Sequence, residues 1–474
     1  MANPINANNF SEVFQLQKSH ALQLRKSPVT NRREQLKKIK HWILKNQQLI
    51  REAIYADFQK PGEEVDSCDI YPVLSEINHT ITHLNDWTKP VKADAPITLI
   101  GTSAEIRYEP KGVCLILAPW NFPFNLAIGP LVSCIAAGNT AIIKPSEITP
   151  ATSDLILKMI CEIFRPEEVC VFTGGVEVAS ALLSLPFDHI FFTGSPRVGK
   201  LVMKAAAENL SSVCLELGGK SPAIIHSDVN ISDAARRIAF GKFVNNGQTC
   251  IAPDYLFVHR SVSEKFLSAL VSETTRLFGD RSVVAVDSKS YGRISSAQHF
   301  DRLQRMLDEA LKADWKPVLS GINQAATRFF HPTILMGSQK NLQLMDEEIF
   351  GPILPVLLYE DLSETIEFIN ARPKPLALYV FSSSKAVCNL VTSNTSSGSV
   401  CFNECLIQYM HPNLPFGGVN FSGIGKAHGR FGFIGFSNEK AVVSQKSGFA
   451  TSYLFHPPYR SWFKFMMRTL FRWF

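Results

Sequence analysis

The residues with the clearest chemical potential surround Cys250. The segment from Val244 to Asp254 reads VNNGQTCIAPD and sets this cysteine directly after a polar turn that contains Gly247. A free thiol has a pKa of about 8.5, so a nucleophilic cysteine needs backbone N–H groups or positive charge to favour its thiolate. The polar run before Cys250 can supply such donors, and Gly247 permits the tight turn. The alternative is a small buried apolar residue, as most free cysteines are.

A lone acid, Glu216, lies within the segment VCLELGGKSP, which is otherwise apolar up to two glycines. A carboxylate in such surroundings is costly to keep charged without partners, so we expect its pKa to rise toward the range useful for a general base. A structural salt bridge is the alternative role for this residue.

The polar residue Asn121 follows the continuous apolar run from Gly112 to Ala118, which is typical of a strand buried on both faces. Open α/β sheets bind their ligands at the carboxyl ends of such strands. The amide of Asn121 can therefore donate a hydrogen bond to an oxyanion. Flanked by an aromatic pair and two prolines, Asn121 can equally form a turn.

Further strand-like runs end in polar or small residues. Lys144 and Glu147 follow one of them, and Gly194 and Ser195 follow another and precede a helix. Glycine and serine at a strand-to-helix junction present backbone N–H groups to an anion. The GSxxxG spacing is weak alone, but the repeated strand-helix units predict a doubly wound parallel sheet that binds a nucleotide.

The composition predicts a soluble globular protein of two large domains. The chain has 474 residues, of which 46% are hydrophobic and 19% charged. The net charge is +6, and a basic helix with an apolar other side contributes to it. This pattern indicates a solvated helix face, so we do not expect the protein to bind nucleic acid. The ten cysteines lack paired spacing, so we expect reduced thiols and no metal site. The N-terminus lacks a secretory signal, so we expect a cytoplasmic protein.

Seven motifs then occur in a fixed order: PWNFPFN at Pro119, KPSE at Lys144, FTGS at Phe192, LELGGKSP at Leu215, NNGQTCIAPDY at Asn245, EEIFGPILPV at Glu347 and LPFGGVNFSGIG at Leu414. In these motifs the chain resembles the aldehyde dehydrogenase family over nearly its full length, particularly the class 3 and fatty-aldehyde branch with its CIAPDY. The resemblance implies an α/β fold with a Rossmann-like parallel-sheet cofactor domain, an α/β catalytic domain and a β-hairpin oligomerisation arm. The expected ranges are 1–89 and 111–217 for the NAD(P)-binding domain, 218–420 for the catalytic domain, 90–110 and 421–450 for the arm, and 457–474 for a C-terminal tail.

The family resemblance also implies the chemistry. Cys250 would attack an aldehyde to give a thiohemiacetal, whose oxyanion the Asn121 amide and the Cys250 backbone N–H would hold. Hydride would pass to NAD(P)⁺, and Glu216 would activate the water that hydrolyses the thioester to a carboxylic acid. Six residues would hold the cofactor: Lys144 and Glu147 at the adenosine ribose, Gly194 and Ser195 at the pyrophosphate, and Glu348 and Phe350 at the nicotinamide ribose and ring. Glu147 would repel a 2′-phosphate that Lys144 would attract, so NAD is favoured and NADP stays possible.

Two strand-like runs between Pro90 and Pro110, around a Gly-containing turn, suggest a hairpin. It resembles the family's oligomerisation arm, with a strand near Lys440 to Ser447 as its partner, and this implies a homodimer. One departure from the family lies nearby: Asn420-Phe421 replaces the usual glycine-asparagine pair, which leaves the shape of this loop and of the substrate funnel open.

The last residues, YRSWFKFMMRTLFRWF, form an amphipathic pattern. On a helix, a cationic stripe lies opposite a mainly aromatic face: Arg460, Lys464, Arg468 and Arg472 against Trp462, Phe463, Met466, Met467, Leu470, Trp473 and Phe474. Like charges at this spacing repel in water, and an anionic membrane surface would relieve that repulsion. The segment is too short and too charged to span a bilayer. The alternative is that the apolar face packs on the protein or its dimer mate.

The aldehyde itself stays open in the sequence. The tail and the aromatic residues favour a medium- or long-chain aliphatic aldehyde, and an aromatic, coniferyl-type aldehyde is also compatible with this branch. Three other functions are weaker: a dehydrogenase that passes the acyl group to coenzyme A, which a water-activating Glu216 would defeat; a catalytically silent membrane-associated protein; and a Cys/His hydrolase.

Overall fold

The structure is a computed structural model that describes residues 9–279, 286–338, 341–448, 450–459 and 461–473. Its strands are β1 Val91–Ala93, β2 Thr102–Pro110, β3 Val113–Leu117, β4 Thr140–Lys144, β5 Val169–Val171, β6 His189–Gly194, β7 Ser212–Leu217, β8 Pro222–Ile225, β9 Tyr255–His259, β10 Lys316–Leu319, β11 Thr333–Met336, β12 Ile353–Tyr359, β13 Ala377–Phe381, β14 Ser399–Phe402, β15 Gly423–Ile424 and β16 Ser437–Gln445.

The α-helices are α1 Phe10–Leu24, α2 Val29–Lys45, α3 Gln47–Phe58, α4 Gly62–Val65, α5 Tyr71–Trp87, α6 Asn125–Ala137, α7 Pro150–Ile163, α8 Val176–Leu183, α9 Pro196–Glu208, α10 Ile231–Phe243, α11 Ser263–Phe278, α12 Ala297–Lys312, α13 Gln343–Asp346, α14 Leu362–Asn370, α15 Lys385–Asn394, α16 Ile407–Met410, α17 Gly429–Gly435 and α18 Ser461–Trp473. A π-helical turn, Asp66–Ile70, joins α4 to α5.

The first sheet has the strand order β15-β7-β6-β3-β4-β5, and all of its strands except β15 run parallel. Strands β3 and β4 are buried along their whole length because their apolar side chains face helices on both sides. The order reverses direction between β3 and β6, the switch point where doubly wound sheets bind ligands. The predicted parallel sheet is therefore confirmed.

The second sheet has the order β10-β11-β12-β9-β8-β13-β14, with only β10 antiparallel to its neighbour. Separate apolar clusters cover its two faces. Cys250 precedes the central strand β9, so the cysteine lies at the end of this sheet.

The arm sheet differs in part from the prediction. The run Ile97–Leu99, expected as a strand, is a 3-10 turn, and β1 pairs with β2 instead. The reason is Pro96, which lacks the N–H that a ladder needs and whose carbonyl accepts the Leu99 N–H at 2.8 Å to close a turn. The expected partner strand is confirmed, because β16 pairs antiparallel along all of β2, with Ala441 opposite Ile106.

The range 421–450 was expected to belong to the arm, but only part of it does. Strand β15 pairs antiparallel with β7, and Gly423 lies opposite Glu216. Helix α17 packs against α5 and α6. A Cβ at Gly423 would meet the Leu215 carbonyl oxygen, so the close strand pairing requires glycine there.

The C-terminal helix α18 follows a 3-10 segment, Thr451–Phe455, which contacts the turn at Ile97–Leu99. Four of the apolar residues expected on one face are partly buried: Phe463, Met466, Met467 and Leu470. The large exposed apolar side chains are Trp462, Phe465 and Phe471. Arg460 and Phe474 lie outside the described residues. Across the described ranges, no helix is long and apolar enough to cross a membrane.

Candidate active site

The loop before Cys250 is tightly coiled. Asn245, Asn246 and Gly247 have φ angles of 51°, 54° and 72°, in the left-handed region. Asparagine adopts this region more readily than most residues, and a Cβ at Gly247 would meet the Gly351 carbonyl oxygen. The turn expected at Gly247 is therefore present, and it delivers Cys250 to the start of β9.

The side chain of Gln248 fixes this loop to its surroundings. It is fully buried; its Nε2 donates to the carbonyl oxygens of Asn245, at 3.0 Å, and Arg293, at 3.1 Å. Its Oε1 accepts the backbone N–H of Ser295 at 2.9 Å. In the sequence, Gln248 is recognisable only as part of a polar run, because Arg293 and Ser295, the partners that show its role, lie far along the chain.

Asn121 lies against the same loop. Its Nδ2 donates to the Gln248 carbonyl oxygen at 3.1 Å, and its own carbonyl oxygen accepts Asn245 Nδ2 at 2.8 Å. The buried ammonium of Lys60, paired with Asp69 at 3.0 Å, also approaches the Asn121 carbonyl oxygen, at 3.5 Å. Asn121, which follows β3 of the first sheet, and the cysteine loop, which precedes β9 of the second sheet, thus form one hydrogen-bonded unit.

Glu216, near the end of β7, lines the same cavity as Cys250. Its Oε1 lies 3.9 Å from the Cys214 sulfur, and its buried Oε2 has no hydrogen-bond partner among the described residues. Burial raises the pKa of Glu216 well above its usual range, and the Lys426 ammonium opposes this rise only in part. The expected direction of the shift is confirmed.

The surroundings of Cys250 differ from the expectation that they favour the thiolate. Burial raises the pKa of the thiol, and the negative charges of Glu348 and Glu216 raise it further. The backbone N–H groups of Cys250 and Ile251 act in the opposite direction but are outweighed. The donors are therefore those of the cysteine and the residue after it, and not of the polar run before it. The thiol needs a proton acceptor, and Glu216 lies beside it.

Glu348 and Phe350 precede β12 of the second sheet, and the charge of Glu348 acts on Cys250. The Gly219 N–H donates to the Glu348 carboxylate, burial raises the pKa of Glu348 to about 8, and its Oε1 has no partner in the described part of the chain. Phe350 has a φ of 49° and packs edge-to-face on Trp120, with ring centroids 5.2 Å apart. The free Oε1 is a suitable acceptor for a ribose hydroxyl.

The remaining predicted cofactor residues form a second group at the carboxyl ends of β4 and β6. Lys144 Nζ and Glu147 Oε2 form an ion pair of 2.6 Å. Gly194 ends β6, and the Ser195 Oγ caps α9 by accepting the Val198 N–H at 3.4 Å. A cation, a carboxylate and a helix N-terminus around the switch point fit a dinucleotide.

The sequence profile described as "Aldehyde dehydrogenase family" matches residues 4–442. The chain belongs to the aldehyde dehydrogenase family.

Three curated members of the family are similar over most of their length. The 4,4'-diaponeurosporen-aldehyde dehydrogenase of Staphylococcus aureus is 43% identical over 438 residues, covering 92% of this chain and 94% of the relative. A Pseudomonas aeruginosa protein described as "Probable coniferyl aldehyde dehydrogenase" is 40% identical, with 95% and 94% covered. Aldehyde dehydrogenase family 3 member B2 of Mus musculus is 39% identical, with 92% and 90% covered.

A solved aldehyde dehydrogenase matches the fold closely. The structure described as "Substrate bound state of Staphylococcus Aureus AldH" is 40% identical and has a TM-score of 0.92, over 98% of this chain and 100% of that one. The resemblance to the class 3 branch, the aldehyde dehydrogenase fold and the enzymatic nature of the chain are therefore confirmed.

The cavity beside Cys250 and Glu216 also contains residues that sequence reasoning missed: Glu76, Tyr409 and His428. Glu76 had a signal like that of Glu216, because it is a lone acid between buried apolar residues of α5. His428 and Tyr409 had no comparable pattern.

Proposed function

We propose that this enzyme oxidises an aldehyde to a carboxylic acid with NAD(P)⁺, through a thioester on Cys250. The observation that carries the proposal is the joint position of Cys250 and Glu216 at one cavity, with Asn121 bonded to the cysteine loop. No step requires a group from outside the enzyme, its cofactor, the aldehyde and water.

In acylation, the Cys250 sulfur bonds to the aldehyde carbon as Glu216 takes the thiol proton. The resulting oxyanion accepts hydrogen bonds from Asn121 Nδ2, released from the Gln248 carbonyl, and from the Cys250 backbone N–H. One such donor is worth about 3–4 kcal/mol of barrier. The oxidised nicotinamide, when bound, supplies the acceptor for the hydride that leaves this carbon.

In deacylation, Glu216 removes a proton from water as the water oxygen bonds to the thioester carbon. The carbon–sulfur bond then breaks, releasing the carboxylic acid and the Cys250 thiolate. The acid gives its proton to the thiolate, so the thiol is restored and the product leaves as the carboxylate. General-base assistance of this kind contributes about 10²–10⁴ in rate.

We propose NAD as the main cofactor, with NADP still possible. The Lys144–Glu147 pair and the start of α9 would bind the adenosine ribose and the pyrophosphate, and Glu348 and Phe350 would bind the nicotinamide end.

The substitution Glu216→Gln tests the hydrolytic role. We expect one burst of reduced cofactor, slower than in the wild type because Gln cannot take the thiol proton, and then a stall because the acyl enzyme that forms is not hydrolysed. Glu364→Gln, an exposed substitution on α14, is the matched control. Undiminished steady turnover of Glu216→Gln would remove this residue from the mechanism, and turnover that depends on coenzyme A would favour the acyl-transfer alternative.

For the substrate, we propose a medium- or long-chain aliphatic aldehyde, supported by the amphipathic tail, whose exposed aromatic residues Trp462, Phe465 and Phe471 suit a lipid-like environment. A coniferyl-type aldehyde is the second candidate, because a relative 40% identical to this chain has that description. Rates over an aliphatic chain-length series and one aromatic aldehyde distinguish the two.

The tail supports a proposal of peripheral binding to an anionic membrane. Trp462, Phe465 and Phe471 are exposed, with fractions of 49%, 73% and 72%, beside the cations Lys464 and Arg468. The alternative of packing on the protein is supported by the partly buried residues of the other face.

Deleting residues 457–474 should abolish co-sedimentation with anionic liposomes and leave turnover of a short soluble aldehyde intact. A protein with Lys37 and Lys38 changed to Gln, two exposed cations of α2, should sediment like the wild type. Unchanged sedimentation of the truncated protein would contradict the membrane proposal.

A homodimer also remains a proposal. It is supported by β16, which lies at the edge of the arm sheet and most of whose residues are exposed. Sedimentation equilibrium of the wild type and of Val443→Pro, which blocks that edge, tests it; a monomeric wild type would contradict it.

A further inference from the structure

A small cavity is lined in part by the two proposed catalytic groups. Its volume is about 50 Å³, and Cys250, Glu216, Glu76, His428 and Tyr409 are among the residues that line it. A water molecule needs roughly 10–15 Å³ of such space and two or more polar partners, and the cavity offers both. The cavity can therefore hold a short row of water molecules between the carboxyl groups of Glu216 and Glu76.

Glu76 is held firmly at its end of the cavity. Its Oε1 accepts the backbone N–H of Gly429 at 2.8 Å, and its Oε2 lies 3.9 Å from His428 Nδ1. Burial raises the pKa of Glu76 to about 7 and lowers the pKa of His428 to about 4. At neutral pH the imidazole is therefore neutral, and Glu76 can take or release a proton.

The side chains around Glu76 and His428 do not block this proton exchange. The Tyr409 ring packs edge-to-face on His428, with centroids 4.6 Å apart, and burial raises the pKa of its hydroxyl. His79 faces Gly429 from α5, and Lys426 is the cation that acts on Glu216. The exposed side-chain fraction is 8% for Glu76 and 18% for His428. His428 is therefore the more accessible of the two side chains, and solvent reaches Glu76 on its side.

We propose that Glu76, assisted by His428, is the acceptor to which Glu216 passes its protons through the water of this cavity. The proposal rests on the function proposed above. Glu216 takes a proton from the thiol and later one from water, and it must lose each before it can act again. In each transfer the proton leaves the Glu216 carboxyl for a cavity water, that water gives a proton to the Glu76 carboxylate, and Glu76 releases it to solvent beside His428. No electron transfer is involved.

The unpartnered Oε2 of Glu216 explains why such a relay is needed. This oxygen has no hydrogen-bond partner among the described residues, so it is available to a water molecule in the cavity. Glu76 acts through Glu216 and does not touch the aldehyde.

The substitution Glu76→Gln tests the relay, because the amide oxygen can still accept the Gly429 N–H. The probe is para-nitrophenyl acetate, which acylates the cysteine without cofactor and reports acylation as a burst and deacylation as the steady rate. We expect the burst amplitude and the KM for the ester to stay within about twofold of the wild type. We expect the steady rate to fall by about 100-fold, the lower end of the range for lost proton-transfer assistance. The pH profile of that rate should lose its inflection near neutrality, and the solvent deuterium isotope effect should increase.

Two further variants separate a relay from a merely structural role. In Glu76→Ala, added formate should restore the steady rate, because it supplies a mobile carboxylate. Glu63→Gln, on the exposed side of α4, should behave as the wild type. An unchanged steady rate in Glu76→Gln would overturn the relay, and so would a fall that formate does not restore and that includes the burst. If the wild type forms no acyl enzyme on Cys250, the function proposed above fails instead.

Discussion

Gln248→Ala is the sharpest test of how this fold presents Cys250. Among the described residues, Gln248 is the only hydrogen-bond partner of two buried backbone groups, the Arg293 carbonyl and the Ser295 N–H, and the change deletes both bonds. The Asn245 carbonyl keeps the Gln248 backbone N–H. An unsatisfied buried polar group costs about 1–3 kcal/mol, so the native loop should lose about 2–6 kcal/mol relative to other conformations.

The consequence should be kinetic as well as structural. A loss of about 3 kcal/mol of correct positioning corresponds to a fall of about 100-fold in kcat/KM. We would measure kcat/KM with a short soluble aldehyde, the rate of Cys250 alkylation by iodoacetamide, and the melting temperature. Gln248→Glu keeps the acceptor for Ser295 but points an oxygen at two carbonyls, so we expect it to be impaired as well.

The matched control is Gln23→Ala, an exposed position on α1. It should lie within about 0.5 kcal/mol of the wild type, as surface substitutions usually do. If Gln248→Ala kept kcat/KM and the alkylation rate within about twofold of the wild type, the side chain would not hold the loop, and the reasoning from its hydrogen bonds would be refuted.

Three further predictions follow from charges. Glu348→Gln should shift the pH profile of Cys250 alkylation to lower pH, because a negative charge that raises the thiol pKa is removed; an unshifted profile would contradict this. Glu147→Gln should raise the NADP-to-NAD ratio of kcat/KM by about fivefold, because about 1 kcal/mol of repulsion at an exposed site is removed. The change also frees Lys144 for the 2′-phosphate. Initial rates with each cofactor measure the ratio. The pKa of Glu76 is raised in the folded state to about 7, so its contribution to stability is fully present below the unfolded value near 4.5 and is lost as pH rises through 7. The melting temperature of Glu76→Gln should therefore fall less than that of the wild type between pH 5 and 8, and parallel curves would contradict the shift.

The sequence was sufficient to predict the elements that carry the proposed site. Continuous apolar runs identified β3, β4 and β6 because buried parallel strands need apolar side chains on both faces. The polar residues after these runs, among them Asn121 and Lys144, follow from chain order alone. Glu216 was recognisable because a lone acid in an apolar segment has few structural explanations.

Other features depended on the packing of distant segments. Glu76 and Gly429 are 353 positions apart, and only the contact of α17 with α5 brings His428 to that carboxyl. The direction of the Cys250 pKa shift depended on burial and on carboxylates from two other segments, which local sequence does not reveal. Short-range patterns also gave the wrong first strand of the arm, where Pro96 favoured a turn.

The sequence by itself determined which elements form and which residues end them, because local periodicity reflects burial. Only the tertiary structure decided which of those residues meet and which protonation state each favours, because electrostatic energies depend on distances and burial that form when the domains pack.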